Sequence, residues 1–158
     1  MRVEKITRNL FEFDELSTDA QIKALDALRD INLDDDWWDS VYDDANTIGL
    51  TITEFDIDHG TIDGRLGFYP KDVANLILSK HGPETDTFKL ANEYLTTLDT
   101  TLDDELADLD QNFKYDLLEC YLVMLRQEYE YLTSDEAIKH LIEVNGFTYE
   151  FDEEGKRS

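Results

Sequence analysis

Residues 34–70 read "DDDWWDSVYDDANTIGLTITEFDIDHGTIDGRLGFYP", and the fold turns on where their periodicity changes. From Asp34 to Ile48 the spacing is helical. At about 100° per residue, Trp37, Trp38, Val41, Tyr42, Ala45 and Ile48 fall within an arc of roughly 140°. Asp35, Asp36, Asp39 and Asp43 fall on the opposite side. Gly49 then supplies a left-handed residue that ends the helix. Beyond it, "LTITEFDI" and "TIDGRLGFY" predict two strands joined around "DHG", a hairpin. Pro70 pre-sets the first turn of another helix, where its missing N–H costs little. A helix, a hairpin and a helix in direct succession point to an α+β fold.

Working outward, "KITRNLFEF" predicts a strand within residues 3–13. "LSTDAQIKALDAL" predicts a helix with Thr18 as N-cap, Gln21 completing a capping box, and Ile22, Leu25 and Leu28 inward. After Pro70, Val73, Leu76 and Ile77 face inward, and Gly82 with Pro83 stops the chain. Residues 85–98 predict a helix with Phe88, Ala91, Tyr94 and Leu95 on one side. Leu102, Leu106, Leu109 and Phe113 make a narrow stripe that widens to Leu117, Leu118, Tyr121, Leu122 and Leu125. That shift fits one bent helix or two helices broken near Gln111 and Asn112. "TSDEAIKHLIEVNG" predicts a last helix with Thr133 and Glu136 as its capping box and Gly146 as its stop. "FTYEF" reads as a closing strand. The expectation is a single compact α+β domain over residues 1–152, with five to six helices, a small mainly antiparallel sheet and a polar tail at 153–158.

The chain has 158 residues with 38 acidic against 14 basic side chains, a formal charge of −24. Eight Phe, eight Tyr and two Trp argue for a packed core rather than the disorder that such charge alone would suggest. Nucleic-acid phosphates and anionic membranes repel a surface of this sign, so neither is an expected direct partner; basic partners are, whether proteins, polyamines or divalent cations. No run approaches eighteen apolar residues, and "MRVEKITRNLFEF" lacks a signal-peptide core. A cytoplasmic protein is expected. Cys120 stands alone, which excludes an intramolecular disulfide and any multi-thiolate metal site.

Catalytic motifs fail on inspection. "DIDHGTID" resembles a cation loop, but counted from Asp56 it places Gly60, Thr61 and Gly67 where an EF-hand needs an oxygen ligand, Gly and Glu. A polar hairpin turn around Gly60 explains it better. His59, His81 and His140 lie in no ligand or nucleophile motif, and His81 suits the last turn of a helix. Cys120, among Leu117, Leu118, Leu122 and Val123, reads as a packed thiol. Trp37 and Trp38 read as packing against the hairpin, with an aromatic anchor at an interface as the competing reading. No catalytic residue, cofactor or metal site is assigned, and the protein is expected not to be an enzyme.

The charge is unevenly placed. Asp30 to Asp63 holds eleven carboxylates and Glu93 to Asp110 holds seven, with no Lys or Arg in either stretch. General solubility would spread acid evenly, so the asymmetry favours a binding patch. The candidate partner-binding residues are Asp35, Asp36, Asp39, Asp43, Asp44, Asp56, Asp58 and Asp63 from the first stretch, and Asp103, Asp104, Asp108 and Asp110 from the second. Carboxylates one helical turn apart are separated by about 6 Å along the axis, a row that suits arginines which otherwise meet phosphates.

Three segments carry a family resemblance: "FDELSTDAQIKAL" at 13–25, "DDDWWDSVYDDANTIGLTITEFDIDHG" at 34–60 and "EYEYLTSDEAIKHLIEVNGFTYEFDEEGKR" at 128–157. Together they resemble small acidic proteins encoded by bacteriophages and prophages. The resemblance implies a phage accessory role. Small acidic phage proteins often obstruct host defence enzymes, including restriction systems and CRISPR effectors, sometimes as nucleic-acid mimics. The resulting expectation is an anti-defence inhibitor, a DNA mimic of anti-CRISPR or anti-restriction type, that covers a basic nucleic-acid-binding surface in the host cell. The alternative is an acidic regulatory or antitoxin-like factor that binds a protein without mimicking nucleic acid. A homodimer sharing the apolar face near Tyr129 and Tyr131 is also left open.

Overall fold

The computed structural model describes residues 13–33 and 36–144. Among them are six α-helices and one two-stranded antiparallel sheet, an α+β arrangement dominated by helix. The helices are α1 (Thr18–Ala27), α2 (Asp39–Thr47), α3 (Pro70–Lys80), α4 (Asp86–Leu98), α5 (Leu106–Leu132) and α6 (Asp135–Val144); the strands are β1 (Leu50–Asp56) and β2 (Thr61–Leu66). The strands expected at 3–13 and in "FTYEF", the stop at Gly146 and the polar tail lie outside the described residues, except that Phe13 opens a 3₁₀ turn, Phe13–Glu15. The chain divides into two compact units, residues 1–37 with 129–158 and residues 38–128, and α5 is continuous from the second into the first.

In the first unit α1 packs on α6. Phe13, Leu16, Ala20, Ala24, Leu25 and Leu28 form one buried cluster with Ile138 and Ile142. The inward face of α1 is therefore set by Ala20 and Ala24 beside Leu25 and Leu28, and Ile22, expected inside, is 52% exposed. Small residues at i and i+4 let the helices approach, which rotates the contact stripe away from Ile22. The N-cap is Ser17, one residue earlier than expected: its hydroxyl accepts from the Ala20 N–H at 3.2 Å. Gln21, freed from a capping box, donates to the Phe13 and Leu16 carbonyls instead.

The second capping box shifts in the same way. Ser134, not Thr133, accepts from the Ala137 N–H at the start of α6. Thr133 donates to the Tyr129 carbonyl at the end of α5. The carbonyls exposed at that end also find side-chain donors. Asn32 donates to Leu132 at 3.0 Å, and Arg29 donates to Thr133 at 2.9 Å while pairing with Asp26 and Asp135. The two carboxylates hold the Arg29 guanidinium above its ordinary pKa, Asp26 through its hydrogen bond first.

The second unit begins at Trp38 and contains α2, the hairpin and α3. Helix α2 is shorter than expected, starting at Asp39, with turns over residues 36–38. Val41, Ala45 and Ile48 are buried, and Gly49 takes φ +88° as the helix ends. The hairpin follows in the register Leu50↔Leu66, Thr51↔Arg65 and Ile52↔Gly64, then slips by one residue so that Glu54 faces Asp63 and Phe55 faces Ile62. Burial follows the slip: Leu50 and Ile52 are buried before it, and Phe55 is the half-buried aromatic after it. Such a bulge changes which residues share a face. Here it brings Phe55 against Trp38 (ring centroids 5.7 Å) and Tyr42 (6.1 Å), so Trp38 packs on the hairpin as expected.

Helices α3 and α4 pack against each other, joined by the turn at Gly82 and Pro83. Pro70 is the first residue of α3, and Val73 and Ile77 are fully buried, with Leu76 partly so. Ala91 and Tyr94 are buried on α4. Helix α5 runs unbroken through Gln111 and Asn112 and buries Phe113, Leu117, Leu118, Tyr121, Leu122 and Leu125. Leu102, read as the first residue of that stripe, precedes the helix and is 66% exposed.

Candidate acidic interface

The twelve candidate carboxylates have different fates. Asp35 lies outside the described residues. Asp36, Asp39, Asp43, Asp58, Asp63, Asp103, Asp104 and Asp108 are exposed, Asp36, Asp39 and Asp63 with interactions inside the protein as well; Asp44, Asp56 and Asp110 are half-buried and hydrogen-bonded within it.

Asp44 is turned inward. Its Oδ2 accepts from the Tyr121 hydroxyl at 2.7 Å and stands 3.3 Å from His81 Nε2. The His81 side chain is 8% exposed, and its Nδ1 lies 2.6 Å from the Thr87 hydroxyl oxygen. Thr87 is fully buried, and its hydroxyl is also 3.2 Å from that of Thr85. Nε2 has no hydrogen bond of good geometry, so its 3.3 Å approach to Asp44 is a close contact rather than a formed bond. His81 thus links α3, α4 and α2 rather than merely closing a helix. Burial first, and the Asp44 bond second, raise the Tyr121 pKa well above that of a free phenol.

Asp110 accepts from the Tyr94 hydroxyl at 2.5 Å. The Tyr94 ring sits 4.3 Å from that of Phe113, which clamps α4 to α5. Burial, helped by Asp110, pushes the Tyr94 pKa up. On α5, Asp110 lies eleven residues before Tyr121, the anchor of Asp44, or about 16 Å along the axis. The two acidic stretches therefore meet α5 about three helical turns apart.

In the "DIDHG" turn, Asp56 accepts from the His59 N–H at 3.1 Å and meets its Nδ1 at 2.7 Å. These bonds hold the Asp56 carboxyl below its ordinary pKa, the backbone bond first. Gly60 takes φ +68°, the conformation of a hairpin turn. No group of three or more His, Cys, Asp or Glu among the described residues is placed to hold a metal ion. Across the strands Glu54 faces Asp63, and a hydrogen bond to Asp63 raises the Glu54 pKa.

Five of the eight exposed carboxylates fall into two groups of the second unit; Asp58 and Asp63 stand on the hairpin, and Asp36 belongs to the first unit. Asp39 and Asp43, one turn apart, stand on α2. Asp103 and Asp104, with Glu105, form the 3₁₀ turn that leads into α5, and Asp108 is in its first turn. Acid at a helix N-terminus also stabilises the helix through its dipole. The second group thus has a local use besides any partner.

Sequence reasoning missed the most exposed aromatics. Phe68 is 57% exposed and Tyr69 80%. They were read as strand, but β2 ends at Leu66. Gly67 and Pro70, which bracket the pair, were the available signal for a turn. Trp37, half-buried, meets Tyr129 at 5.7 Å. Comparison with protein-family models, curated proteins and solved structures gives no match to this chain. No helix among the described residues is long and apolar enough to cross a membrane.

Proposed function

We propose that this protein is a non-enzymatic acidic inhibitor of phage type that covers the basic nucleic-acid-binding surface of a host defence protein. One observation carries the reading. Asp39 and Asp43 on α2, and Asp103, Asp104 and Asp108 at the start of α5, are exposed on one unit, in stretches without a single Lys or Arg. Such surfaces steer basic partners and form charge-assisted hydrogen bonds with arginine.

Phe68 and Tyr69 favour a second reading, an acidic regulatory or antitoxin-like factor that does not mimic nucleic acid. Exposed aromatic side chains are anchors for protein contacts and have no counterpart in a phosphate row.

Cross-linking in phage-infected cells, followed by isolation of the partner, separates the two. Under the first reading the partner loses nucleic-acid binding when this protein is added. Its affinity falls with salt, and an Asp39→Asn, Asp43→Asn, Asp103→Asn, Asp104→Asn variant binds it more weakly. A partner that keeps its nucleic acid, and whose affinity falls with Tyr69→Ala instead, establishes the second reading and removes the first.

A further inference from the structure

Helices α4 and α5 line an open cavity of about 190 Å³ at the surface. Leu109, Asn112, Phe113 and Asp116 reach it from α5 at i, i+3, i+4 and i+7, one face of that helix; Leu90, Glu93, Tyr94 and Thr97 reach it from α4 at the same spacing. The lining is therefore of two kinds. Leu90, Leu109 and Phe113 give apolar walls, while Glu93 and Asp116 are exposed carboxylates, one from each helix. No Lys or Arg lines it, although Lys89 and Lys114 are sequence neighbours of lining residues.

We infer that this cavity receives an arginine side chain of the partner. The inference rests on the reading of a basic partner given above and names how that partner is gripped. Its volume is small beside the pockets of drug-sized ligands and cofactors, which run from about 300 to 1,000 Å³, and suits a single side chain. A hydrated divalent cation does not suit apolar walls, and two carboxylates without a third ligand do not replace its hydration shell. Arginine matches both kinds of lining. Its methylene stem covers apolar surface, and its weakly hydrated, planar guanidinium offers several donors to two carboxylates and the Asn112 amide. Lysine, a compact and strongly hydrated charge, loses more on leaving water.

The test uses the full chain and no partner. N-acetyl-arginine methylamide is titrated while the Tyr94 and Phe113 ring signals and the Asn112 side-chain amide are followed by NMR. Saturable shifts at these groups are expected, with a dissociation constant on the order of 1 mM. The uncharged citrulline analogue should bind at least about tenfold more weakly, because the charge-assisted bonds are gone. Glu93→Gln with Asp116→Asn, both at exposed positions, should abolish the shifts while circular dichroism stays unchanged. Equal binding of citrulline, shifts only elsewhere, or no saturation overturns the inference. Failure of the parent reading looks different: arginine still binds here, but no basic partner is captured. If a basic partner is captured and the double variant binds it as tightly as the unaltered chain, the parent reading stands and this one falls.

Discussion

The Tyr121 hydroxyl donates to Asp44 Oδ2 at 2.7 Å, tying the centre of α5 to α2. Tyr121 is fully buried, and the carboxylate it holds is one residue away from the solvent-facing Asp43. Asp44 therefore belongs to the architecture of its unit as much as to its charge. Tyr121→Phe should cost about 1–2 kcal/mol, since it removes one charge-assisted bond and leaves a half-buried carboxylate short of a donor. Asp44→Asn keeps an acceptor oxygen and should cost less than Tyr121→Phe; Asp44→Ala should cost more than Asp44→Asn. Urea unfolding of the three variants gives the order, and an Asp44→Ala variant as stable as the unaltered protein would contradict the structural role.

Glu54 and Asp63 face each other across the hairpin, and their shared proton raises the Glu54 pKa. A raised carboxyl pKa means that the folded state holds its proton more tightly. That contribution is present below the unfolded pKa and is lost as pH rises through the folded one. Asp56 has the opposite sign: its pKa is lowered by His59, so its contribution is present at neutral pH and lost as pH falls through the folded value. Carboxyl NMR titration should find Glu54 releasing its proton at higher pH than Asp56. Asp63→Asn should remove the upward displacement of Glu54 and leave Asp56 unchanged.

Cys120 is half-buried, and its thiol pKa is pushed up to about 11, by burial first and then by Asp86, Asp116 and Glu119. The thiolate is the reactive form. Alkylation by iodoacetamide at pH 8 should therefore be slow in the folded protein and should speed up more than tenfold, roughly, on unfolding in urea. Rapid labelling of folded protein at that pH would show the thiol to be more accessible than its surroundings imply.

Two glycines are fixed for different reasons. Gly49 has φ +88°, and a Cβ there would come within 2.5 Å of Phe68 Cδ2. Gly64 would place its Cβ 2.7 Å from the Thr51 carbonyl oxygen across the sheet and 2.9 Å from Leu118 Cδ2. Phe68 is exposed and can move, so Gly49→Ala should cost about 1–2 kcal/mol, mainly as backbone strain. The contact at Gly64 is with backbone held in the ladder. Gly64→Ala should cost more, about 2–3 kcal/mol, by parting β1 from β2 or β2 from α5. Thermal unfolding of the pair checks the order.

Periodicity and punctuation in the sequence were enough to predict the α+β class, the hairpin, the helix end at Gly49 and the start of α3 at Pro70. These are local: they depend on the φ a residue accepts and on which way a side chain leaves its own axis. The charge asymmetry was equally legible, because composition does not depend on folding. What lies opposite a side chain depends on contacts between distant segments. Ile22 fell on the calculated inward arc, but Ala20 and Ala24 allowed α6 to approach one stripe over. The bulge after Ile52 moved Phe55 to the aromatic side of the hairpin. Asp43 and Asp44 are adjacent and chemically identical, yet one faces solvent while the other meets Tyr121, 77 residues away. Glu93 and Asp116 reach one cavity because the Tyr94–Phe113 contact closes α4 on α5. The sequence determined which elements form and how much negative charge they carry; tertiary packing decided which carboxylates bond inside the protein and which face solvent.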